Sequence, residues 1–172
     1  MILFLKNLFF TVLGFGLIAG WVPLHWFEPH PHWPESWRWT HWVGLSGFIG
    51  GVTVSLCCIW LLASKGRGTL FFLLPPQRLV QRSLYAWVRN PMDLGLFAIV
   101  GGEALFFWSI HLGIYFVCLV CVVHLVVTLY EESALGYQFG AMYEDYKRTV
   151  PRWLPRKPRP ALTTVAPFGA RK

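Results

Sequence analysis

The sequence predicts an all-α integral membrane protein with four transmembrane helices and a cytoplasmic amphipathic helix near the C-terminus. Of the 172 residues, 55% are hydrophobic and only 13% are charged, and the mean hydropathy is +0.49. A typical soluble domain carries about 25% charged residues, so the charge deficit excludes an ordinary soluble domain and a disordered chain. Aromatic residues make up 17%, a content typical of proteins with side chains at membrane interfaces.

A membrane-spanning helix needs about 20 mostly apolar residues, and four segments meet this requirement. The first is too long for the hydrophobic region of a signal peptide, so we expect it to be retained. A turn at 111–113 joins the third and fourth segments, which must therefore form an antiparallel hairpin. As core helices of a soluble bundle, the alternative, these segments would carry a charged face, which they lack. The predicted spans are residues 2–22, 42–63, 92–110 and 113–130.

Glycines in two of these spans predict close helix packing. Gly47, Gly50 and Gly51 lie in the second span, and Gly101 and Gly102 lie in the third. Small residues let helix backbones approach each other within a membrane. Both spans can therefore pack tightly against neighbouring helices.

The distribution of Lys and Arg predicts the orientation of the chain. The loop at 23–41 contains only Arg38, whereas basic residues are concentrated in the loop at 64–91 and after the fourth span, between 147 and 159. By the positive-inside rule, both termini and the 64–91 loop lie in the cytoplasm, and we expect a multi-pass protein of the inner (cell) membrane. The net charge of +7 then fits anionic lipid headgroups, and we expect no nucleic-acid partner.

The expected domain organisation is simple. Residues 1–160 form a single membrane domain, and residues 161–172, which lack apolar periodicity, form a loose tail.

The four cysteines lie in apolar runs and are interpreted as packing residues, although Cys118 and Cys121 have a spacing that also occurs in metal sites. The outer stretch contains four histidines but no ligand spacing typical of zinc, so it is interpreted as an interfacial aromatic loop and no metal is expected. These histidines are His25, His30, His32 and His41.

Ionisable residues inside a span are costly and often functional, and two of them require an explanation here. Glu103 lies near the middle of the third predicted span, and His124 lies in the second half of the fourth. On a continuous helix, His124, Thr128, Glu131 and Leu135 share one face, with the carboxylate about 10 Å from the imidazole. A purely structural alternative is a hydrogen bond between Glu103 and His124 that fixes the hairpin.

Further motifs flank the last two spans. Pro91 stands where proline begins a helix, and Tyr143 and Tyr146 share a helical face that, taken alone, is typical of an amphipathic membrane anchor. In chain order, the motifs resemble the isoprenylcysteine carboxyl methyltransferase family over residues 66–155, with more distant similarity to the phospholipid methyltransferases. They are Arg89-Asn90-Pro91-x-x-x-Gly95, Gly102-Glu103, Glu131-Glu132, Phe139-Gly140-x-x-Tyr143-x-x-Tyr146 and Val150-Pro151-Arg152-Trp153.

The resemblance implies an integral membrane enzyme that uses S-adenosylmethionine. The cofactor pocket would form between the last spans and the following cytoplasmic helix, and a lipid-like or small amphipathic acceptor would enter from the bilayer. Arg89 and Glu131 are the expected catalytic residues, and Arg152 is added to the site with the least support. The expected cofactor-binding residues are Arg89, Asn90, Pro91, Gly102, Glu103, His124, Glu131, Glu132, Tyr143, Tyr146 and Arg148.

Two departures from the family pattern keep other functions open. Asn90 replaces a common histidine and Asp93 replaces a common tyrosine, which favours the alternative of a non-catalytic scaffold or assembly factor. A haem or quinone protein using His111 and His124 is a third hypothesis.

A soluble Rossmann-type methyltransferase is excluded, because the sequence has no Gly-x-Gly-x-x-Gly motif and no strand–helix alternation. The methyl acceptor stays open among a prenylated cysteine carboxylate, a phospholipid amine and a small thiol or acid.

Overall fold

A computed structural model describes residues 13–27, 33–34, 36–62, 64 and 79–157, and no strand occurs among them. The predicted all-α class is therefore confirmed for this part of the chain. Most of the first predicted span, His30, His32 and the tail at 161–172 lie outside the described residues. The helices are α1 (Leu13–Phe27), α2 (Trp39–Leu61), α3 (Pro91–Phe106), α4 (Ile110–Phe139) and α5 (Ala141–Thr149).

Two of these helices are long and apolar enough to cross a membrane. They are α2, with 23 residues, and α4, with 30 residues. At 1.5 Å per residue α2 is about 34 Å long, which matches a hydrocarbon core of about 30 Å. Within the first part of α4, Ile110–Val126, the buried residue is Leu112. An apolar helix with this much exposed surface is typical of contact with lipid rather than of a soluble core.

The hairpin between α3 and α4 differs from the prediction. The turn lies at Phe107–Ser109 instead of 111–113, because Ser109 begins α4 as its N-cap. Its hydroxyl accepts a hydrogen bond from the Leu112 amide at 3.4 Å. At the other end, α4 continues beyond the predicted limit at Tyr130 and stops only at Gly140, whose φ of 53° suits a glycine helix stop.

The continuous α4 also separates the two histidines of the haem or quinone hypothesis. His111 and His124 lie on this one helix, and their 13-residue spacing corresponds to about 20 Å along the axis. Two ligands of one haem iron must lie on opposite sides of the same metal, so a haem held by both histidines of one chain is excluded. The quinone alternative stays a hypothesis.

Helices α2 and α3 form the closest packing in the structure. A Cβ atom built on Gly44 would lie 2.6 Å from Gly102 O, and one on Gly51 would lie 2.5 Å from Gly95 O. Gly44 and Gly51 are seven residues apart on α2, and Gly95 and Gly102 are seven residues apart on the antiparallel α3. The small size of glycine therefore lets the two helix backbones touch at two points along their length. The prediction of close glycine packing is confirmed for Gly51 and Gly102. Gly44 and Gly95 were not predicted, Gly50 faces open space, and Gly101 faces Phe116 of α4.

The two ends of the α2–α3 pair differ in chemistry. At the end where α2 begins and α3 stops, aromatic rings cluster, with Trp37 and His41 both packed edge-to-face on Phe106 at 6.0 and 5.6 Å. Exposed Trp37 and Trp42 at this end fit an interfacial aromatic belt. The start of α3, at the opposite end, carries the charged and phenolic groups described below.

We expect substitution by alanine to lower the stability at Gly51 but not at its neighbour Gly50. Gly51→Ala should lower the free energy of unfolding by about 1–3 kcal/mol, because the new Cβ collides with the α3 backbone. Gly50→Ala should be neutral or slightly stabilising, because its Cβ meets no atom within 4 Å. Unfolding in mixed detergent and SDS micelles, followed by circular dichroism, measures both. Equal effects of the two variants would contradict the packing described here.

Candidate functional site

A buried carboxylate lies between two arginines where α4 meets the start of α3. Glu132 Oε1 is 3.0 Å from Arg89 Nη1 and 2.7 Å from Arg152 Nε. Arg152 Nη2 donates a second hydrogen bond to Glu132 Oε2 at 2.9 Å, which completes a bidentate pair. The side chains of Arg89 and Glu132 are 11% and 10% exposed. Because a carboxylate this well buried needs compensation, both arginines are required to stabilise it.

Backbone contacts hold these charges in place. Pro91 occupies the first turn of α3, with Asn90 as the N-cap, as the Arg-Asn-Pro sequence predicted. The amide of Arg89 donates to Pro151 O at 2.9 Å, and the amide of Arg156 donates to Trp87 O at 2.9 Å. The segment after α5 is therefore attached to the start of α3, and this attachment brings Arg152 to Glu132.

A π-helical turn in α4 decides which carboxylate faces the arginines. Residues Val127–Glu131 have π geometry, in which the wider turn shifts the following side chains around the helix. Trp153 Nε1 donates to His124 Nδ1 at 3.1 Å, and the adjacent Arg152 binds Glu132. The face of His124 is thus continued by Glu132, and the predicted alignment of His124 with Glu131 on a regular helix is wrong.

Glu131 is turned instead toward the first turn of α3. Its negative charge repels that of Asp93, and both charges act on the phenol of Tyr85. Within the described ranges, neither carboxylate has an ion-pair partner. A cation bound near these two carboxyl groups would stabilise their ionised form.

The tyrosines of α5 close one side of this cluster. Tyr143 and Tyr146 are buried with Val150 against Leu79, Leu135 and Phe139, so they face protein rather than lipid, unlike in the anchor interpretation. The Tyr146 hydroxyl donates to Tyr85 O at 2.6 Å, and the positive charge of Arg89 acts on the phenol of Tyr143. Burial raises the pKa of Tyr143 to about 12, and it raises the pKa of Tyr146 as well. Both phenols are therefore neutral hydrogen-bonding groups at physiological pH.

Three buried donors in the cluster have no hydrogen-bond partner among the described residues, namely Arg89 Nε, Arg89 Nη1 and Asn90 Nδ2. Of these, Arg89 Nη1 is in ion-pair contact with Glu132, so Arg89 Nε and Asn90 Nδ2 are left without a polar contact. Buried polar groups are nearly always paired, so a pair of orphaned donors next to the arginines indicates a place for an acceptor group such as a carboxylate.

A cavity of about 310 Å³ is lined by the residues that flank these donors in sequence. Val88 and Pro91, which flank Arg89 and Asn90, line it together with Gly51 of α2 and Gly95 of α3. Trp87 at its edge is 44% exposed. The lining is almost wholly apolar, so the cavity suits the apolar part of an amphipathic molecule.

Three of the residues predicted for the site lie elsewhere. Gly102 packs against the backbone of Gly44 and Phe48 of α2. Glu103 is 12 residues along α3 from Pro91, about 18 Å, and lines a different cavity. Arg148 is exposed on α5 and makes none of the contacts described above. The hydrogen bond between Glu103 and His124, considered as a structural alternative, does not form, because His124 accepts from Trp153.

The structure adds residues that sequence reasoning did not assign to the site. Tyr85 and Asp93 join the cluster through Glu131, and Trp153 joins it through His124 and through a ring contact with Phe97 at 5.6 Å. The sequence marked Asp93 as a charged departure from the family pattern but did not assign it to the site. Tyr85 carries no such signal in its local sequence.

The fold and the cluster define a helical membrane protein whose charged groups gather at one end of the helices. Residues 39–142 match the family model described as phospholipid methyltransferase. The match covers more than half of the 172 residues, so the chain belongs to the phospholipid methyltransferase family, part of the isoprenylcysteine carboxyl methyltransferase-like superfamily. The match includes α2 and ends just before Tyr143. No curated protein and no solved structure matches the chain.

We expect Glu132 to stabilise the fold strongly. Glu132→Gln should lower the free energy of unfolding by about 3 kcal/mol, because it leaves Arg89 and Arg152 without the charge that compensates them. Glu144 pairs with Lys147 at 3.0 Å but is 54% exposed, so Glu144→Gln should cost about 0.5 kcal/mol or less. The same SDS unfolding assay measures both variants. A Glu132→Gln protein as stable as Glu144→Gln would show that the buried network does not hold the C-terminal segment.

Proposed function

We propose that the protein is a membrane methyltransferase that uses S-adenosylmethionine, with its active site in the polar cluster at the start of α3. The family supports methyl transfer in a membrane protein. The observation that carries the cofactor and the site is the juxtaposition of an uncompensated carboxylate pair, Asp93 and Glu131, with the unpartnered donors of Arg89 and Asn90.

The groups in the cluster fit the polar groups of this cofactor. S-adenosylmethionine has two cationic groups, a sulfonium and an ammonium, and one carboxylate. Asp93 and Glu131 offer carboxyl groups that have no ion-pair partner among the described residues, and a bound cation would favour their ionised form. Arg89 Nε and Asn90 Nδ2 offer donors that are unpaired within the same part of the chain. The neutral phenols of Tyr143 and Tyr146 add aromatic surface next to Arg89. We assign Arg89 and Glu131 to direct cofactor contact, with Asn90 beside them.

The protein's own residues would act mainly by alignment and by exclusion of water. When bound, S-adenosylmethionine supplies an electrophilic methyl group on a sulfonium, so no covalent nucleophile of the protein is required. Glu132 and Arg152 are positioning residues, because they fix Arg89 through the buried ion pairs. Trp153 and His124 hold the C-terminal segment against the α3–α4 hairpin.

The acceptor we propose is an amine with an apolar chain. Of the acceptors that the sequence left open, an ammonium is attracted by Asp93 and Glu131, whereas a carboxylate is repelled by them. Either carboxylate can take the proton that the ammonium must lose before its nitrogen attacks. The apolar cavity of about 310 Å³ beside Arg89 fits a chain that arrives from the bilayer.

We also propose that the cluster lies at the cytoplasmic face of the inner membrane, with both termini on that side. The basic residues Arg82, Arg89, Arg152 and Arg156 lie at the end of the helices that carries the cluster, and the aromatic end of α2 and α3 carries few charges. The positive-inside rule assigns the basic end to the cytoplasm.

We expect Glu131→Gln to weaken cofactor binding without lowering the stability of the protein. The variant should weaken S-adenosylhomocysteine binding about tenfold in detergent calorimetry, since a hydrogen bond to a charged group is worth about 1.5–3 kcal/mol. Its stability should stay equal or rise, because the change relieves repulsion with Asp93. Arg89→Ala should weaken binding as well, and Glu144→Gln is the matched control. Unchanged affinity in both cluster variants would exclude this site and favour the non-catalytic scaffold.

We expect Asp93→Asn to change the choice of acceptor. Methyl transfer from radiolabelled S-adenosylmethionine to phosphatidylethanolamine vesicles should fall about tenfold, because one of the two charges that attract the ammonium is lost. Affinity for S-adenosylhomocysteine should fall less than in Glu131→Gln. A wild-type protein that methylates a prenylated cysteine carboxylate but not the amine lipid would refute the proposed acceptor.

A further inference from the structure

A second cavity contains a buried carboxylate with an oxygen that has no hydrogen-bond partner among the described residues. Glu103 is 7% exposed, and its Oε2 atom has no hydrogen-bond partner. It lines a cavity of about 270 Å³ between α1, α2 and α3. Since buried polar atoms are nearly always paired, and an ionisable group among membrane helices is costly, this oxygen points to a ligand group in the cavity.

Glu103 lies close to the aromatic end of the helices. It is three residues before Phe106, where α3 stops, so it belongs to the last turn of α3 instead of the middle of a span as the sequence predicted. Phe106 is part of the aromatic cluster with Trp37 and His41. A polar group bound to Glu103 therefore sits near the interface on the side away from the cluster, which is where the head of an amphiphile belongs.

The rest of the cavity wall suits an apolar chain. Gly16 and Gly20 of α1 line it, and a Cβ atom on either would meet no atom within 4 Å. Phe48 and Leu56 of α2 also line it and are exposed, so the cavity reaches the surface that α2 presents to lipid. Its volume lies just below the ~300 Å³ at which pockets for drug-sized ligands begin, which indicates one chain.

A second orphaned atom marks the other end of the cavity. Ser55 is 5% exposed, and its Oγ has no partner. It lies against Gly95, eight residues and about 12 Å along α3 from Glu103. One small polar group cannot reach both residues, and Glu103 is the one near the aromatic end of the helices. The head of the ligand therefore belongs at Glu103.

We infer that this cavity binds a single-chain lipid alcohol from the bilayer, with its hydroxyl group on Glu103 and its chain directed toward Ser55. A hydroxyl both donates and accepts, so it satisfies the Glu103 carboxyl in its ionised and in its protonated form. An ammonium can only donate and satisfies the ionised form alone. This site is separate from the proposed methyl-transfer site and does not depend on it.

Photo-crosslinking in phosphatidylcholine nanodiscs tests this inference. The probe is a dodecanol analogue with a mid-chain diazirine, compared with the dodecane and dodecylamine analogues that carry the same diazirine. We expect the alcohol to label peptides of α1 and α3 about tenfold more than the alkane, because the alcohol can form a hydrogen bond with Glu103 and the alkane cannot. Excess unlabelled dodecanol should remove this labelling. Equal labelling by alcohol and alkane, or a preference for the amine, would overturn the inference.

Variants locate the chain and the hydroxyl group separately. Gly16→Leu fills the cavity and should abolish labelling, whereas Gly14→Leu, also with no atom within 4 Å of its Cβ but outside the cavity lining, should leave it unchanged. Glu103→Leu should reduce the alcohol to the level of the alkane, and Glu103→Gln should keep most of the preference. If Ser55→Ala lost the preference for the alcohol and Glu103→Leu kept it, the hydroxyl group would bind at Ser55 instead of Glu103. This result would overturn the inference. Monodisperse elution and an unchanged unfolding midpoint verify that each variant is folded.

Discussion

The position of the whole C-terminal region depends on the Glu132 carboxylate and the two arginines that neutralise it. Arg89 precedes α3, Glu132 lies in α4 and Arg152 follows α5, so one buried ion cluster joins three separate parts of the chain. A buried charge that loses its partner is strongly destabilising, and this cost keeps the three parts together. The tyrosines of α5, the orphaned donors of Arg89 and Asn90, and the apolar cavity beside them are all arranged around that junction.

The same region contains one glutamate that is paired with arginines and two carboxyl groups that are not. Glu132 has two cations, whereas its neighbour Glu131 and Asp93 have no ion-pair partner among the described residues. The π-helical turn at Val127–Glu131 makes this possible, because it directs two consecutive glutamates toward different partners. Local departures from regular helix of this kind are frequent at functional sites. A network that holds the fold and a pair of carboxylates left free for a cation can thus occupy adjacent positions on one helix.

Two apolar cavities lie on opposite sides of the glycine contact between α2 and α3. One adjoins the Arg-Asn-Pro turn and the other contains Glu103. Close approach of the backbones at Gly44–Gly102 and Gly51–Gly95 leaves no room for a ligand between these two helices. Space for apolar chains therefore remains only where the pair meets other segments, α1 on one side and the C-terminal segment on the other. The two cavities consequently differ in their polar groups and in the segments that line them.

The sequence by itself determined the helical membrane class, the family, the helix start at Pro91 and the gathering of Arg89, Glu131, Glu132, Tyr143 and Tyr146, because apolar run lengths and local motifs report directly on these features. It did not determine the turn at Ser109 or the uninterrupted α4, since capping and helix continuation compete over a few residues. Only the tertiary structure decided that Glu132 rather than Glu131 meets the arginines, that Glu103 lies in another cavity, and that Tyr85 joins the site. These outcomes depend on a π turn and on contacts between residues more than fifty positions apart, which no local pattern encodes.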